Sequence, residues 1–284
     1  MPGIVLIILA YLLWAFFPLY FKQMEAVNPF DILAFRTLFA LLSVFPVLLW
    51  SGQLKTFLKQ FRSPKNIGLL LCTGLLVSVN WLIFIILVNT GHTLDASLGY
   101  YVNPLLTVLL AMIFFRERFG KLQWTSLVIA SIGVTVFAIG VGRLPWGGLA
   151  AATTFALYGM MKKLSPTDAL TSLTMETLLL MPIVLGYLTW NRSVQTVWNI
   201  DPTQFLWLIG CGVLTTITLV LYGAAALKVK LSTIGLCQYI TPCGQFLTAV
   251  FVFKEPMLPA QWSCFGLIWI ALILFTIDSL RTGK

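Results

Sequence analysis

The sequence contains few charged residues. Asp, Glu, Lys and Arg make up 10% of the 284 residues, whereas hydrophobic residues make up 59%. Soluble domains carry about a quarter charged residues, so this chain has too little polar surface to cover itself in water. Lipid is therefore the expected solvent, and a soluble enzyme or soluble binding module is excluded.

The sequence also lacks clusters of metal-binding or catalytic side chains. It has one histidine, and its five cysteines lie in apolar stretches without CxxC spacing. Such cysteines are typical of small buried hydrophobic positions. We therefore expect no metal and no cofactor. His92 and Asp95, three residues apart and without an obvious partner, are the only loose candidates for an intramembrane enzyme.

Long apolar stretches recur along the whole chain. A spanning helix needs about 17–25 largely apolar residues, and the predicted spans are 3–21, 31–50, 67–88, 94–114, 122–142, 146–162, 169–190, 205–226, 232–253 and 260–279. The first has no basic region before it and no cleavage site after it, so we interpret it as a retained helix. The sequence predicts an all-α integral membrane protein with ten transmembrane helices.

The positive charges predict the orientation of these helices. With the N-terminus inside, 13 of the 18 Lys and Arg residues fall in cytoplasmic segments, 4 fall in external loops, and Arg36 lies within span 2. Cytoplasmic loops are enriched in Lys and Arg, so both termini are expected in the cytoplasm. The net charge of +9 is thus a topology signal, and we expect no nucleic-acid partner.

The chain contains an internal repeat. At a shift of 138 residues, 13 of the 65 positions 73–137 are identical without a gap, including Glu117 with Glu255 and Trp124 with Trp262. We predict two repeats, 1–143 and 144–284, with five spans each. An odd number of spans inverts the second repeat in the membrane, which makes the two membrane faces nearly equivalent. This favours an alternating-access transporter over a solute sensor without flux or an intramembrane enzyme.

Two opposite charges occupy equivalent positions in the repeats. Arg36 and Glu176 align at a shift of 140 residues, and charges inside spans commonly mark pathways or paired sites. We hypothesise that they face each other near the pseudo-twofold axis, as a salt bridge or as a substrate clamp. The alternative is that each side chain snorkels or pairs elsewhere.

Two prolines interrupt equivalent spans. Pro104 and Pro242 each remove a backbone donor, and kinked helices at matching positions of two repeats indicate a transporter's binding site. The nearby Asn, Gln and Tyr side chains either line a cavity or pack in the bundle. Asp95 is interpreted as the N-cap of span 4, or alternatively as a proton-coupling carboxylate. Glu117 and Glu255 are interpreted as groups that fix turns.

The stretches SVNWLIFIILVNTGHTLDASLGYYVNPL (78–105) and FFRERFGKLQW (114–124) resemble the RarD-type branch of the EamA family, within the drug/metabolite transporter superfamily. The resemblance covers essentially the whole chain. Three positions depart from the branch: Ala15 stands where glycine is usual, Asp31 where glutamate is usual, and Phe35 where histidine is usual. The missing histidine puts a proton-relay role there in doubt.

The resemblance implies a multi-pass permease of the bacterial inner membrane with a cavity lined by spans 1, 3, 4, 6, 8 and 9. Carried over residue by residue, it selects a substrate-binding set: Trp14, Asn80, Trp81, Phe84, Tyr100, Tyr101, Asn103, Tyr158, Tyr222, Gln238 and Tyr239. Such a pocket suits a neutral or zwitterionic, partly apolar solute. The expected partners are a small organic solute, membrane lipid and a proton as candidate coupling ion, with the protein a monomer or weak dimer.

Overall fold

The computed structural model describes residues 2–115, 120–165, 167–191, 202–226 and 237–282, and this part of the chain contains helices and no strand. The helices are α1 (Gly3–Ala15), α2 (Phe17–Lys22), α3 (Pro29–Trp50), α4 (Leu54–Gln60), α5 (Pro64–Asn89), α6 (Thr93–Phe115), α7 (Lys121–Val141), α8 (Trp146–Leu164), α9 (Ala169–Trp190), α10 (Pro202–Ala226), α11 (Ile240–Leu247) and α12 (Pro259–Thr282). A π-helical turn, Thr248–Val252, continues α11.

Seven helices in these ranges are long and apolar enough to cross a membrane: Gly3–Lys22, Pro29–Trp50, Pro64–Asn89, Lys121–Val141, Ala169–Trp190, Pro202–Tyr222 and Pro259–Asp278. The predicted spans 94–114 and 146–162 correspond to α6 and α8. Of the predicted span 232–253, the structure describes residues 237–253. The prediction of an all-α fold is confirmed for the described residues, whereas ten spans and the orientation of the termini stay predictions.

Local sequence signals explain where several helices begin. Asn28 accepts a hydrogen bond from the Phe30 amide at the start of α3, and Ser63 accepts one from the Asn66 amide at the start of α5. In both helices the first residue after the cap is proline, whose fixed φ suits the first helical position. Asp168 caps α9 in the same way, through the Thr171 amide.

The last helices of the two sequence repeats begin with the same hydrogen bond, from a backbone amide to the side chain of a glutamine three residues later. The Gly120 amide donates to Gln123 Oε1 at 3.1 Å before α7, and the Leu258 amide donates to Gln261 Oε1 at 2.7 Å before α12. These pairs are related by the shift of 138 residues that relates the two Gln-Trp elements. The repeated motif therefore fixes a repeated helix start.

The helix pairs with the most extensive contacts obey an exchange rule. Each helix α1, α3, α5, α6 and α7 of the first half corresponds, in this order, to α8, α9, α10, α11 and α12 of the second half. When each helix is replaced by its counterpart, the pair α1–α10 becomes α8–α5, α1–α11 becomes α8–α6, and α3–α10 becomes α9–α5. All six of these pairs are in contact. The pairs α7–α12, α3–α9 and α6–α11 map onto themselves. All nine of these pairs join the two halves, which therefore interdigitate.

Tryptophans at equivalent positions are equally exposed. Trp50 and Trp190, at the ends of α3 and α9, are 91% and 92% exposed, and Trp124 and Trp262, near the starts of α7 and α12, are 46% and 48% exposed. Tryptophan is enriched where a membrane protein meets the lipid–water interface. The exposed rings thus lie where interfacial anchors of an embedded bundle are expected.

Candidate functional site

Arg36 lies buried where helices of both halves meet. It is 2% exposed, and its Nε donates to Thr215 Oγ1 in α10 at 3.0 Å. Its guanidinium lies 3.9 Å from the ring centroid of Trp81 and 5.6 Å from those of Phe17 and Phe21. A cation over an aromatic face gains about 0.5–2 kcal/mol, so the aromatic rings stabilise the buried charge only in part.

Asn80 joins three helices beside this arginine. Its Nδ2 donates to the Ala151 carbonyl in α8 at 2.7 Å, and its Oδ1 accepts from the Tyr100 hydroxyl in α6 at 3.2 Å. The Phe84 ring packs 5.6 Å from Tyr100 and 5.9 Å from Phe21. The contacts define one central cluster: Phe17, Phe21, Arg36, Asn80, Trp81, Phe84, Tyr100 and Thr215.

Three other predicted site residues lie in aromatic groups next to this cluster. Trp14 and Tyr222 have ring centroids 5.8 Å apart, and both pack against Tyr11. Tyr158 packs 5.8 Å from Phe155, whose ring lies 6.1 Å from Tyr100. Spans 1, 3, 4, 6 and 8 therefore all contribute rings to the centre of the bundle.

The remaining predicted site residues lie apart from the central cluster. The Tyr101 hydroxyl donates to Cys243 Sγ at 2.9 Å, and the Tyr101 ring packs 6.0 Å from that of Phe265. Tyr239 belongs to the same apolar group. Asn103 Nδ2 donates to the Ala152 carbonyl at 3.4 Å. Gln238 is half-buried in the turn before α11. The first three of these side chains fill contacts between helices.

Arg36 and Glu176 do not form the hypothesised salt bridge. Glu176 Oε1 pairs with Lys162 Nζ at 2.7 Å and accepts hydrogen bonds from Thr73 and Ser172 at 2.7 and 3.1 Å. Glu176 pairs elsewhere, as in the alternative, Arg36 bonds to a neutral hydroxyl, and the substrate clamp stays a prediction. Glu176 pairs with Lys162 because the long lysine side chain reaches inward from the last turn of α8. Arg36 instead donates to the hydroxyl of Thr215 in α10.

Carboxylates hold the start of α6, but with roles that differ from the sequence interpretation. Glu255 Oε1 and Oε2 accept from the amides of Thr93 and Leu94 at 2.8 and 2.9 Å. Asp95 lies within the first turn of α6 and pairs with Arg143 at 2.8 Å. The prediction of Asp95 as the N-cap is therefore wrong, because a carboxylate distant in sequence occupies the helix end. The interpretation of Glu255 as a structural group agrees with this geometry.

The two prolines differ in their helices. The helix α6 continues without a break from Thr93 to Phe115, so the break expected at Pro104 is absent. A proline removes only one backbone hydrogen bond, and in α6 the turns on either side of it stay helical. Pro242 lies in the first turn of α11, directly after the turn at Gln238 and Tyr239, and its carbonyl accepts from Ser97 at 2.9 Å.

Comparison with known proteins identifies the family. The sequence profile of the EamA-like transporter family matches residues 1–139 and again 145–277. The chain belongs to the EamA-like transporter family. This EamA-like protein is therefore a multi-pass membrane transporter.

Relatives with similar lengths support this assignment. An "Uncharacterized transporter" of Vibrio cholerae is 40% identical over 99% of this chain and 94% of its own length. "Protein RarD" of Escherichia coli is 36% identical over 99% of this chain and 96% of its own. A solved crystal structure that is 18% identical covers 99% of both chains with a TM-score of 0.63, and it supports the fold alone.

Sequence reasoning missed several residues at the centre of this EamA-like transporter. Thr215 bonds to Arg36, and Thr73 and Lys162 bond to Glu176. The threonines carry no signal in the sequence, because a threonine hydroxyl within a helix can bond to its own preceding turn, as both also do here. Lys162 is the last residue of the predicted span 146–162 and counts among the 13 cations predicted to be cytoplasmic, so the sequence does not indicate that it reaches a buried partner.

Proposed function

We propose that this EamA-like protein is a secondary transporter that exports small organic solutes, such as amino acids, metabolites or drug-like compounds, across the bacterial inner membrane. The exchange rule among the helix contacts carries the proposal. The two inverted halves make equivalent contacts. Exchanging the conformations of the halves therefore gives a second state of similar energy that is open to the other side of the membrane. The repeats are 1–143 and 144–284, inverted within ten spans, with both termini cytoplasmic.

In this topology two contacts join external loops to the start of α6. The loop between spans 9 and 10 holds the start of α6 through Glu255, and Arg143, between spans 5 and 6, pairs with Asp95 on the same helix. Both ties lie at the external end of the bundle. Opening to the outside therefore requires that α6 separates from Glu255, and Asp95 is the candidate site of proton coupling.

We assign solute binding to the central cluster and the aromatic groups next to it. Asn80 and Tyr100 supply polar atoms, and Trp14, Trp81, Phe84, Tyr158 and Tyr222 supply apolar faces, as in most small-molecule sites. Tyr101, Asn103 and Tyr239 are assigned to helix packing, because their contacts lie between α6, α8, α11 and α12. Gln238 stays a proposed site residue at the turn before α11.

Flux into liposomes tests this function. The purified protein is reconstituted, and labelled amino acids and amphenicol-like compounds are screened with and without a proton gradient. We expect saturable flux that falls about tenfold or more in Asn80→Ala and in Tyr100→Phe, because each loses a buried hydrogen bond at the site. Tyr101→Phe is the matched control, since it removes a hydroxyl one residue away, and it should retain flux.

Each outcome of the flux measurement has a distinct meaning. Flux that survives Asn80→Ala and Tyr100→Phe would support a transporter but contradict the central cluster as its binding site. Loss in Tyr101→Phe alone would move the site towards α11. Solute binding without flux of any compound would favour a membrane sensor over a transporter.

A further inference from the structure

Arg36 carries a buried positive charge that lacks a counter-ion in the described part of the chain. Its Nε bonds to Thr215, and the two terminal nitrogens make no hydrogen bond or ion pair within the described ranges. The side chain is 2% exposed. A guanidinium keeps its charge inside proteins and has five donor hydrogens, so most of these hydrogens have no acceptor among the described residues.

The acidic side chains that could serve this arginine are engaged elsewhere. Glu176, its equivalent in the second repeat, pairs with Lys162. Asp95 pairs with Arg143, and Glu255 caps α6. Asp31, five residues earlier on α3, accepts a hydrogen bond from the Tyr187 hydroxyl. The protein thus supplies Arg36 with rings and a hydroxyl, but with no negative charge from the described residues.

A buried and unpaired charge is strongly unfavourable, so a ligand that supplies an anion gains more here than at an exposed arginine. The two terminal nitrogens form a planar fork that matches the two oxygens of a carboxylate. Apolar faces surround this fork, namely Trp81 and the rings of Phe17 and Phe21. The geometry thus combines one anion-binding group with an aromatic wall.

We propose that the central cluster binds an organic monoanion, with its carboxylate on Arg36 and its apolar body against Trp81 and Phe84. This proposal rests on the proposed function, in which the same cluster is the solute site. The described residues of the cluster include no carboxylate to receive an ammonium group. The favoured solute is therefore an aromatic or branched carboxylate without a positive charge, which departs from the neutral or zwitterionic class expected from the sequence.

A set of three matched compounds tests the proposal on the purified full-length protein in detergent. They are 3-phenylpropionate, an anion; 3-phenylpropionamide, its neutral amide; and L-phenylalanine, which adds an ammonium group to the anion. Binding is measured as the rise in melting temperature with ligand concentration. We expect 3-phenylpropionate to bind about tenfold or more tightly than the other two, since hydrogen bonds to charged groups are the stronger kind.

Substitutions of Arg36 locate this preference. We expect Arg36→Gln to abolish the response to 3-phenylpropionate, and Arg62→Gln, an exposed arginine outside the predicted spans, to keep it. Without ligand, Arg36→Gln should melt at or above the wild-type temperature, because it removes an uncompensated buried charge. If Arg36→Gln does not fold, Arg36→Lys replaces it, with an expected loss of about tenfold in affinity because the fork is absent.

Several results would overturn the anion site. Two concern the ligand: equal binding of the acid and the amide, or no response to 3-phenylpropionate. Two concern Arg36→Gln: a response to the acid that survives the substitution, or a clear fall in the melting temperature of the ligand-free variant. Liposome flux separates this proposal from the proposed function. If the protein transports a neutral solute and Arg36→Gln leaves this flux intact, the anion site is contradicted and the transporter function is supported. If 3-phenylpropionate binds in an Arg36-dependent way but no solute is transported, the anion site is supported and the transporter function is contradicted.

Discussion

At the scale of single residues, one carboxylate decides how the fourth span begins. The first amides of a helix have no partner within the helix, and both oxygens of Glu255 bind those of Thr93 and Leu94. The negative charge also lies at the positive end of the helix dipole. Because Glu255 belongs to the second repeat, this cap also ties the two halves together.

Glu255→Ala should therefore destabilise the protein. Removal of a capping side chain costs about 0.5–2 kcal/mol, and here two helix amides lose their acceptor together. We expect a lower melting temperature of the purified protein. Glu25→Ala is the control, because Glu25 forms an exposed pair with Lys22 on the same membrane side of the predicted topology, and such pairs contribute about 0–1 kcal/mol. Equal melting temperatures of the two variants would contradict the role of Glu255.

At the scale of elements, two glycines let α6 and α8 touch through their backbones. A Cβ on Gly148 would lie 2.2 Å from the Asp95 carbonyl oxygen, and a Cβ on Gly99 would lie 2.2 Å from the Gly148 carbonyl oxygen. Small residues that allow close backbone approach are typical of helix contacts in membranes. The contact holds α6, with Tyr100, against α8, which supplies the Ala151 carbonyl to Asn80.

Alanine substitutions along α8 test this contact. Alanine gains about 0.8–1 kcal/mol of helix propensity over glycine at any interior position, but crowding at a tight contact costs about 1–3 kcal/mol or more. Gly148→Ala should therefore lower the melting temperature and reduce solute flux. Gly159→Ala, on the same helix, should be neutral or stabilising, because an added Cβ there meets no other part of the protein within 4 Å. A stabilised Gly148→Ala protein would show that the helices are farther apart.

At the scale of the whole molecule, orientation follows from charge and stays a prediction. We expect Gln23→Cys to react with a membrane-impermeant maleimide in intact cells, and Thr56→Cys to react only after permeabilisation. The reason is that the predicted topology places 13 of the 18 Lys and Arg residues on the Thr56 side, and cytoplasmic loops are enriched in these residues. Both side chains are exposed. The unsubstituted five-cysteine chain gives the background labelling. The opposite pattern would reverse the topology.

The candidate site was only partly predictable, and its residues show why. Asn80 and Phe84, four residues apart, share one face of span 3 by helical periodicity, and both belong to the central cluster. Tyr100 and Asn103 share a face of span 4 by the same rule, yet Tyr100 bonds to Asn80 in α5, whereas Asn103 bonds to Ala152 in α8. Periodicity assigns a side chain to a face, but which neighbouring helix lies against that face depends on the assembled bundle.

The sequence alone determined the helical membrane class, the positions of most helices and the internal repeat, because these depend on hydropathy, proline and capping residues that act over short distances. Only the tertiary structure decided the partners of the charges. Glu176 pairs with Lys162 rather than Arg36, and Glu255 caps α6 rather than its own helix. Pairing of buried charges depends on distances between helices that are remote in sequence, and the interdigitation of the two halves sets those distances.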